Sequence, residues 1–85
     1  MPGALILIRT KAGEAVNVLD DLKKIDAIEE VEVISGDYDI MAIIRADSPN
    51  EVSRVLIEEI RKINGLKGTK THNFISLRRV RRELL

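Results

Sequence analysis

Two stretches of this chain, Ala4 to Ile8 and Ile40 to Ile44, are apolar at every consecutive position. Successive side chains of a β-strand point to opposite faces of the sheet, so a strand built from either stretch needs cover on both sides. In the strand read from Tyr38 to Ala46, Ile40, Ala42, Ile44 and Ala46 lie on one face, and Met41 and Ile43 on the other. An 85-residue chain makes one small domain, 1–85, in which apolar residues form 45% of the sequence. That is enough for a core but leaves little stability to spare, and chains of this size often lean on oligomerisation.

The remaining elements follow from periodicity. Ala4 to Lys11 reads as a first strand, double-sided and therefore central. After Gly13, the residues Ala15, Val18, Leu19, Leu22 and Ile25 recur at helical spacing, which predicts a one-faced helix lying on a sheet. Glu30 to Ser35 alternates Val31 and Val33 with Glu30 and Glu32, a pattern suited to an edge strand. Gly36 and Asp37 suit a two-residue hairpin turn. A second helix starts at Ser48-Pro49-Asn50-Glu51, where a capping serine, a proline and a glutamate three positions after the cap would satisfy two orphan amides. Val52, Val55, Leu56, Ile60 and Ile63 form its buried stripe, Glu58 and Lys62 are placed to pair across a turn, and Asn64-Gly65 supplies the stop. Gly68 adds turn character. Lys70 to Arg79 is the last strand, with Thr71, Asn73, Ile75 and Leu77 on one face and His72, Phe74 and Ser76 on the other.

The element order β-α-β-β-α-β, with right-handed crossovers, predicts an α+β, ferredoxin-like sandwich whose antiparallel sheet has strand order 4-1-3-2. Two helices cover only one face of such a sheet. Leu5, Leu7, Met41 and Ile43, or their neighbours one position along, are left on the other, and each large apolar side chain kept in water forfeits roughly 1.5–3 kcal/mol of burial. A contiguous patch of this kind is unusual on a monomer, so we expect a two-fold homodimer packed sheet face to sheet face. Charge fits that expectation. The net charge is zero, yet residues 1–60 hold 6 basic and 13 acidic groups while residues 61–85 hold 8 and 1. The acidic second strand and the basic fourth strand fall on opposite edges, so opposite ends of the sequence are expected to meet within one chain or between two.

Composition excludes several classes of function. The chain has no cysteine, which removes disulfide frameworks and thiolate metal sites, and a reducing cytoplasm is compatible with that. The apolar runs are too short to cross a bilayer and the N-terminus lacks a signal pattern, so a cytoplasmic, unprocessed protein without a membrane partner is expected. No nucleophile–base pair, phosphate-cradling glycine loop or metal cluster can be assembled, and no cofactor is implied. Arg78, Arg79, Arg81 and Arg82 form a basic cluster, but one tyrosine and one phenylalanine serve base stacking poorly. A solvated or subunit-bridging charge cluster is the simpler reading.

Ser35-Gly36-Asp37-Tyr38-Asp39 at the hairpin and Gly65 through Thr69-Lys70-Thr71 at the last strand resemble motifs of the effector-binding domain of Lrp/AsnC transcription regulators, the RAM domain. The resemblance covers essentially the whole chain. It implies a non-enzymatic, ferredoxin-like domain that forms a dimeric α/β-barrel-like assembly and higher oligomers such as octamers, and that binds small effectors such as amino acids between subunits. The family's helix-turn-helix has no room before Ala4. The resemblance is thus to stand-alone members, for which no direct DNA binding is expected and a full-length Lrp/AsnC regulator is a partner to consider.

An amino acid offers a carboxylate and an ammonium, so a site needs donors for one and acceptors for the other. The resemblance points to Gly36, Asp37, Tyr38, Asp39, Thr69, Thr71 and His72. On this reading backbone amides around Gly36 to Tyr38 meet the carboxylate, and Asp39 or Asp37, with Thr69 or Thr71, accepts from the ammonium. The plain alternatives are that Asp37 stabilises the turn, Asp39 caps an amide, Tyr38 covers the core edge, and His72, the single histidine, is a half-exposed strand residue. A small dimeric enzyme, and an assembly module without a ligand, are the competing functions.

Overall fold

A computed structural model describes residues 3–74. They form β1 (Gly3–Thr10), α1 (Ala15–Leu22), β2 (Ile28–Val33), β3 (Ile40–Arg45), α2 (Pro49–Val55) continued by a π-helical turn (Leu56–Ile60), and β4 (Leu66–Phe74). The sheet is antiparallel throughout, in the order β2-β3-β1-β4, which is the expected 4-1-3-2 read from the other edge. The fold is ferredoxin-like, with both double-sided strands in the centre. The basic cluster from Arg78 to Arg82 and the end of the last strand lie outside the described residues.

The core sits between the sheet and the helices. Ala4, Ile6 and Ile8 of β1 and Ile40, Ala42 and Ile44 of β3 are fully buried there against Val18 and Leu22 of α1 and Val55 and Ile60 of the second helical segment. Each is therefore the helix-facing half of its strand. The other halves, Leu5 and Leu7 of β1 and Met41 and Ile43 of β3, remain only partly buried.

Several boundaries differ from the sequence reading for identifiable reasons. The turn after β2 is not a two-residue hairpin: the Ile34 amide donates to the Asp39 carbonyl at 2.9 Å, which encloses four residues, Ser35 to Tyr38. Gly36 has φ +116, a conformation that L side chains rarely adopt. The Ser48 hydroxyl accepts from the Glu51 amide at 3.2 Å as expected of a cap. The return half of the capping box is absent, because the Glu51 carboxylate is turned to the Arg54 guanidinium, 2.7–3.1 Å away. Glu58 likewise pairs with Arg54, at 3.1 Å, where the sequence suggested Lys62. The π turn, closed by the Arg61 amide on the Leu56 carbonyl, widens the helix and also brings Glu59 within 3.5 Å of Arg54.

Both sheet edges carry an irregularity. On β2, Ile28 pairs with Ile44 and Glu30 with Ile43, so Glu29 is bulged out, and its carboxylate meets the Arg45 guanidinium. On β4, Arg9 pairs with Gly68 and Thr10 with Leu66, leaving Lys67 as the extra residue of a bulge. The strand therefore begins before Gly68, which belongs to the bulge and not to a turn. The second helical segment ends at Ile60 with Arg61 as its cap, before the stop expected at Asn64-Gly65; Gly65, with φ +91, lies in the turn that leads to β4, where an added Cβ would lie 2.7 Å from the Cβ of Glu14.

Candidate functional site

At one end of the sheet the C-terminal end of β1, the Ser35–Tyr38 loop and the start of β4 converge. The Asp39 amide donates to the Ile8 carbonyl at 2.8 Å. Its carboxylate accepts from the Thr10 amide at 2.7 Å and from the Thr10 hydroxyl at 3.2 Å. Asp39 thus ties the loop to the end of β1, where the neighbouring Lys11 amide turns to the Gly65 carbonyl at 2.7 Å. The Arg9 Nε donates to the Asp37 carbonyl at 3.0 Å, and its guanidinium lies 5.0 Å from the centre of the Tyr38 ring, within cation–π range. Arg9 thus braces the loop through the Asp37 carbonyl and the Tyr38 ring.

Between this brace and β4 is a shallow cleft of about 290 Å³ lined by Arg9, Tyr38, Lys67, Gly68 and Thr69. The bulge is what brings Lys67 to it, since a residue without a ladder partner is re-aimed relative to its neighbours. Two cationic groups and an aromatic face therefore border one open space, with Thr69, paired to Ile8, at the edge of β4 beside it. That combination suits a small anion with an apolar part, the guanidinium and ammonium meeting the charge and the ring the hydrocarbon.

Two of the seven residues expected at the site, Tyr38 and Thr69, line this cleft. Gly36, Asp37 and Asp39 belong to the loop that walls it. Thr71 pairs with Ile6 on the helix side of the sheet, one full strand repeat beyond Thr69, and His72 pairs with Leu5 on the opposite side. Neither lines the cleft. Sequence reasoning missed Arg9, placed only within the first strand, and Lys67, whose position depends on a register shift against β1.

Two further clefts are described. One of about 570 Å³ lies at the start of α2, lined by Arg45, Ala46, Asp47, Ser48 and Glu51. It is larger, but Ser48 is committed to capping, Glu51 to Arg54, and Arg45 to Glu29. The other, about 370 Å³, is lined by Glu14, Asn17, Asp20, Asp21, Lys24 and Asn64, and the Glu14 carboxylate already accepts from the Asn17 side chain at 2.7 Å. Among the described residues there is no cluster of three or more metal-ligating side chains, and no helix is long and apolar enough to cross a membrane.

Comparison with known proteins assigns this architecture. The family model described as the Lrp/AsnC ligand binding domain matches residues 3–84. The chain belongs to the Lrp/AsnC family. Over 68 residues, 80% of this chain, it is 40% identical to the HTH-type transcriptional regulator FL11 of Pyrococcus abyssi, covering 44% of that protein. The chain spans about half the length of the curated regulators it matches, 44% of FL11 and 47% of another regulator of Pyrococcus abyssi. A hypothetical protein of Pyrococcus horikoshii superposes with a TM-score of 0.82 at 29% identity, over 89% of this chain and 92% of that one. A transcriptional regulator of Neisseria meningitidis, crystallised as a complex with L-Met, shares the fold with a TM-score of 0.79 at 14% identity, over 98% of this chain and 55% of that one. This Lrp/AsnC domain thus resembles the ligand-binding portion of proteins named as transcriptional regulators.

Proposed function

We propose that this Lrp/AsnC domain is a non-enzymatic sensor that binds a small amino acid in the cleft at the hairpin end of its sheet, as part of a dimer or a larger assembly. The observation that carries this reading is the meeting of Arg9, Lys67, Thr69 and Tyr38 in one cleft beside a loop already fixed by Asp39. In the proposed complex the ligand carboxylate lies between the Arg9 guanidinium and the Lys67 ammonium, assisted by loop amides between Gly36 and Tyr38. Its ammonium donates to the Asp37 or Asp39 carboxylate, and its side chain rests on Tyr38. Asp39 keeps lone pairs for this, because a carboxylate accepts at about four positions and Thr10 engages one oxygen.

The dimer reading is supported by the sheet face that the described helices leave uncovered. Leu5, Leu7, Met41 and Ile43 form adjacent columns in the middle of that face, and a second copy packed on it completes the burial that two helices leave undone. Dimers of this kind offer further surfaces for octamers, or for joining a full-length Lrp/AsnC regulator and altering its assembly. The L-Met complex of the Neisseria regulator supports an amino acid as effector here through shared fold alone.

Calorimetric titration with a panel of amino acids tests the ligand. The reading predicts saturable binding of at least one, weakened about tenfold or more in Lys67→Ala, since a charge-assisted hydrogen bond contributes roughly 1.5–3 kcal/mol. Absence of binding by any amino acid, with the dimer intact, would favour the assembly module without a ligand.

A further inference from the structure

We infer that Gly68 is a binding residue of the effector cleft, its missing side chain being what lets a ligand carboxylate settle between Arg9 and Lys67. This rests on the amino-acid reading above. The chain has five glycines, and the fold itself accounts for the other four. Gly13, Gly36 and Gly65 have positive φ, and a Cβ on Gly3 would collide with the Ile44 carbonyl. Gly68 has neither reason. Its φ is not positive, and a Cβ built there meets no described atom within 4 Å beyond its chain neighbours. Glycine inside a strand costs backbone entropy and packs against nothing, and it often marks a place where another group approaches the backbone closely. The bulge at Lys67 does not call for it either, since the bulge type that requires a glycine holds it in the left-handed region.

The surroundings identify what approaches. Gly68 lines the cleft and stands opposite Arg9 across the β1–β4 ladder, with Lys67 next to it in the chain. Arg9 is turned away from it. The Arg9 Nε donates to the Asp37 carbonyl and the guanidinium lies over the Tyr38 ring. Both belong to the loop that leads into β3, which flanks β1 on the side opposite β4. The backbone at Gly68 is therefore bare between two cationic side chains, both of them exposed. A carboxylate drawn to that pair makes charge-assisted hydrogen bonds to each and comes down onto the strand at Gly68. A methyl group at this position would occupy the same space, although it would disturb nothing in the fold.

Calorimetric titration of the full chain and of its Gly68→Ala and Gly68→Val variants with a panel of the common L-amino acids tests this, alongside thermal unfolding and light scattering of each variant. Gly68→Ala is expected to weaken every amino acid that the wild-type chain binds by about tenfold or more, the effect of forcing a methyl group into filled space. Gly68→Val is expected to weaken them further. The melting temperature of Gly68→Ala is expected to stay at or above the wild-type value, because alanine fits a φ of this kind and leaves the unfolded chain less entropy. Its mass in solution is expected to be unchanged. Wild-type affinity in Gly68→Ala, or tighter binding in Gly68→Val than in Gly68→Ala, would overturn the assignment. So would a clearly lower melting temperature in Gly68→Ala, which would make the glycine a requirement of the fold, or an altered mass, which would place it in a contact between copies. A wild-type chain that binds no amino acid would instead overturn the sensor reading on which the assignment rests, so the two failures are told apart.

Discussion

At the scale of single residues, Asp39 has a structural duty whether or not a ligand is bound. Its carboxylate is the acceptor for both the amide and the hydroxyl of Thr10, and a part-buried amide left unpaired costs about 1–3 kcal/mol. We predict that Asp39→Ala lowers stability by about that amount in urea unfolding, whereas Asp39→Asn, which keeps an oxygen acceptor, loses distinctly less. Equal losses in the two variants would show that the contact to Thr10 is not what matters. Both aspartates of the loop, its glycine and its tyrosine were legible in the sequence because one short motif holds them. Arg9 was not, since nothing at the end of an apolar strand announces that its guanidinium will reach back to the Asp37 carbonyl. Lys67 was hidden for a different reason: a bulge is a property of two paired strands, and neither alone reveals it.

At the scale of elements, the second helical segment is held by a surface network centred on Arg54, which meets Glu51, Glu58 and Glu59. Hydrogen bonding from Arg54, opposed by a smaller desolvation effect, holds the Glu51 carboxyl below its ordinary range, and Glu51 and Glu58 in turn raise the Arg54 guanidinium. A carboxylate depressed on folding contributes stability above its unfolded pKa and loses it as pH falls through the folded one. We therefore predict, from an NMR titration of the glutamate carboxyls, a Glu51 midpoint below the usual carboxylate value that returns toward it in Arg54→Ala. An unchanged midpoint would reject the pairing. Ser48→Ala removes the cap on Glu51 and is expected to cost about 1 kcal/mol, read from the denaturation midpoint. The cap was visible in the sequence as Ser-Pro-x-Glu, but the destination of the Glu51 side chain was not, because an arginine three residues on competes with the helix amide. Nor was the π turn, which adds Glu59, five residues on, to the four-residue pair of Arg54 with Glu58. Strand positions were legible from alternation, while their ends depended on how four loop residues and two bulges close.

At the scale of the whole molecule, the topology could be read from two strands that are apolar on both faces, because only central strands of a sheet have use for such a pattern. What covers the second face is the question on which the functional account turns, since the proposed effector site and any larger assembly both build on it. A lysine at Leu7 places a charge among Leu5, Met41 and Ile43 without touching the helix-facing core, and it is expected to yield a folded monomer, seen as unchanged helical dichroism with halved mass. The most direct measurement is the mass of the wild-type chain in solution by light scattering across micromolar concentrations. The account predicts twice the 9.6 kDa chain mass or an even multiple of it, persisting on dilution into the low micromolar range. A steady 9.6 kDa over that range would contradict it.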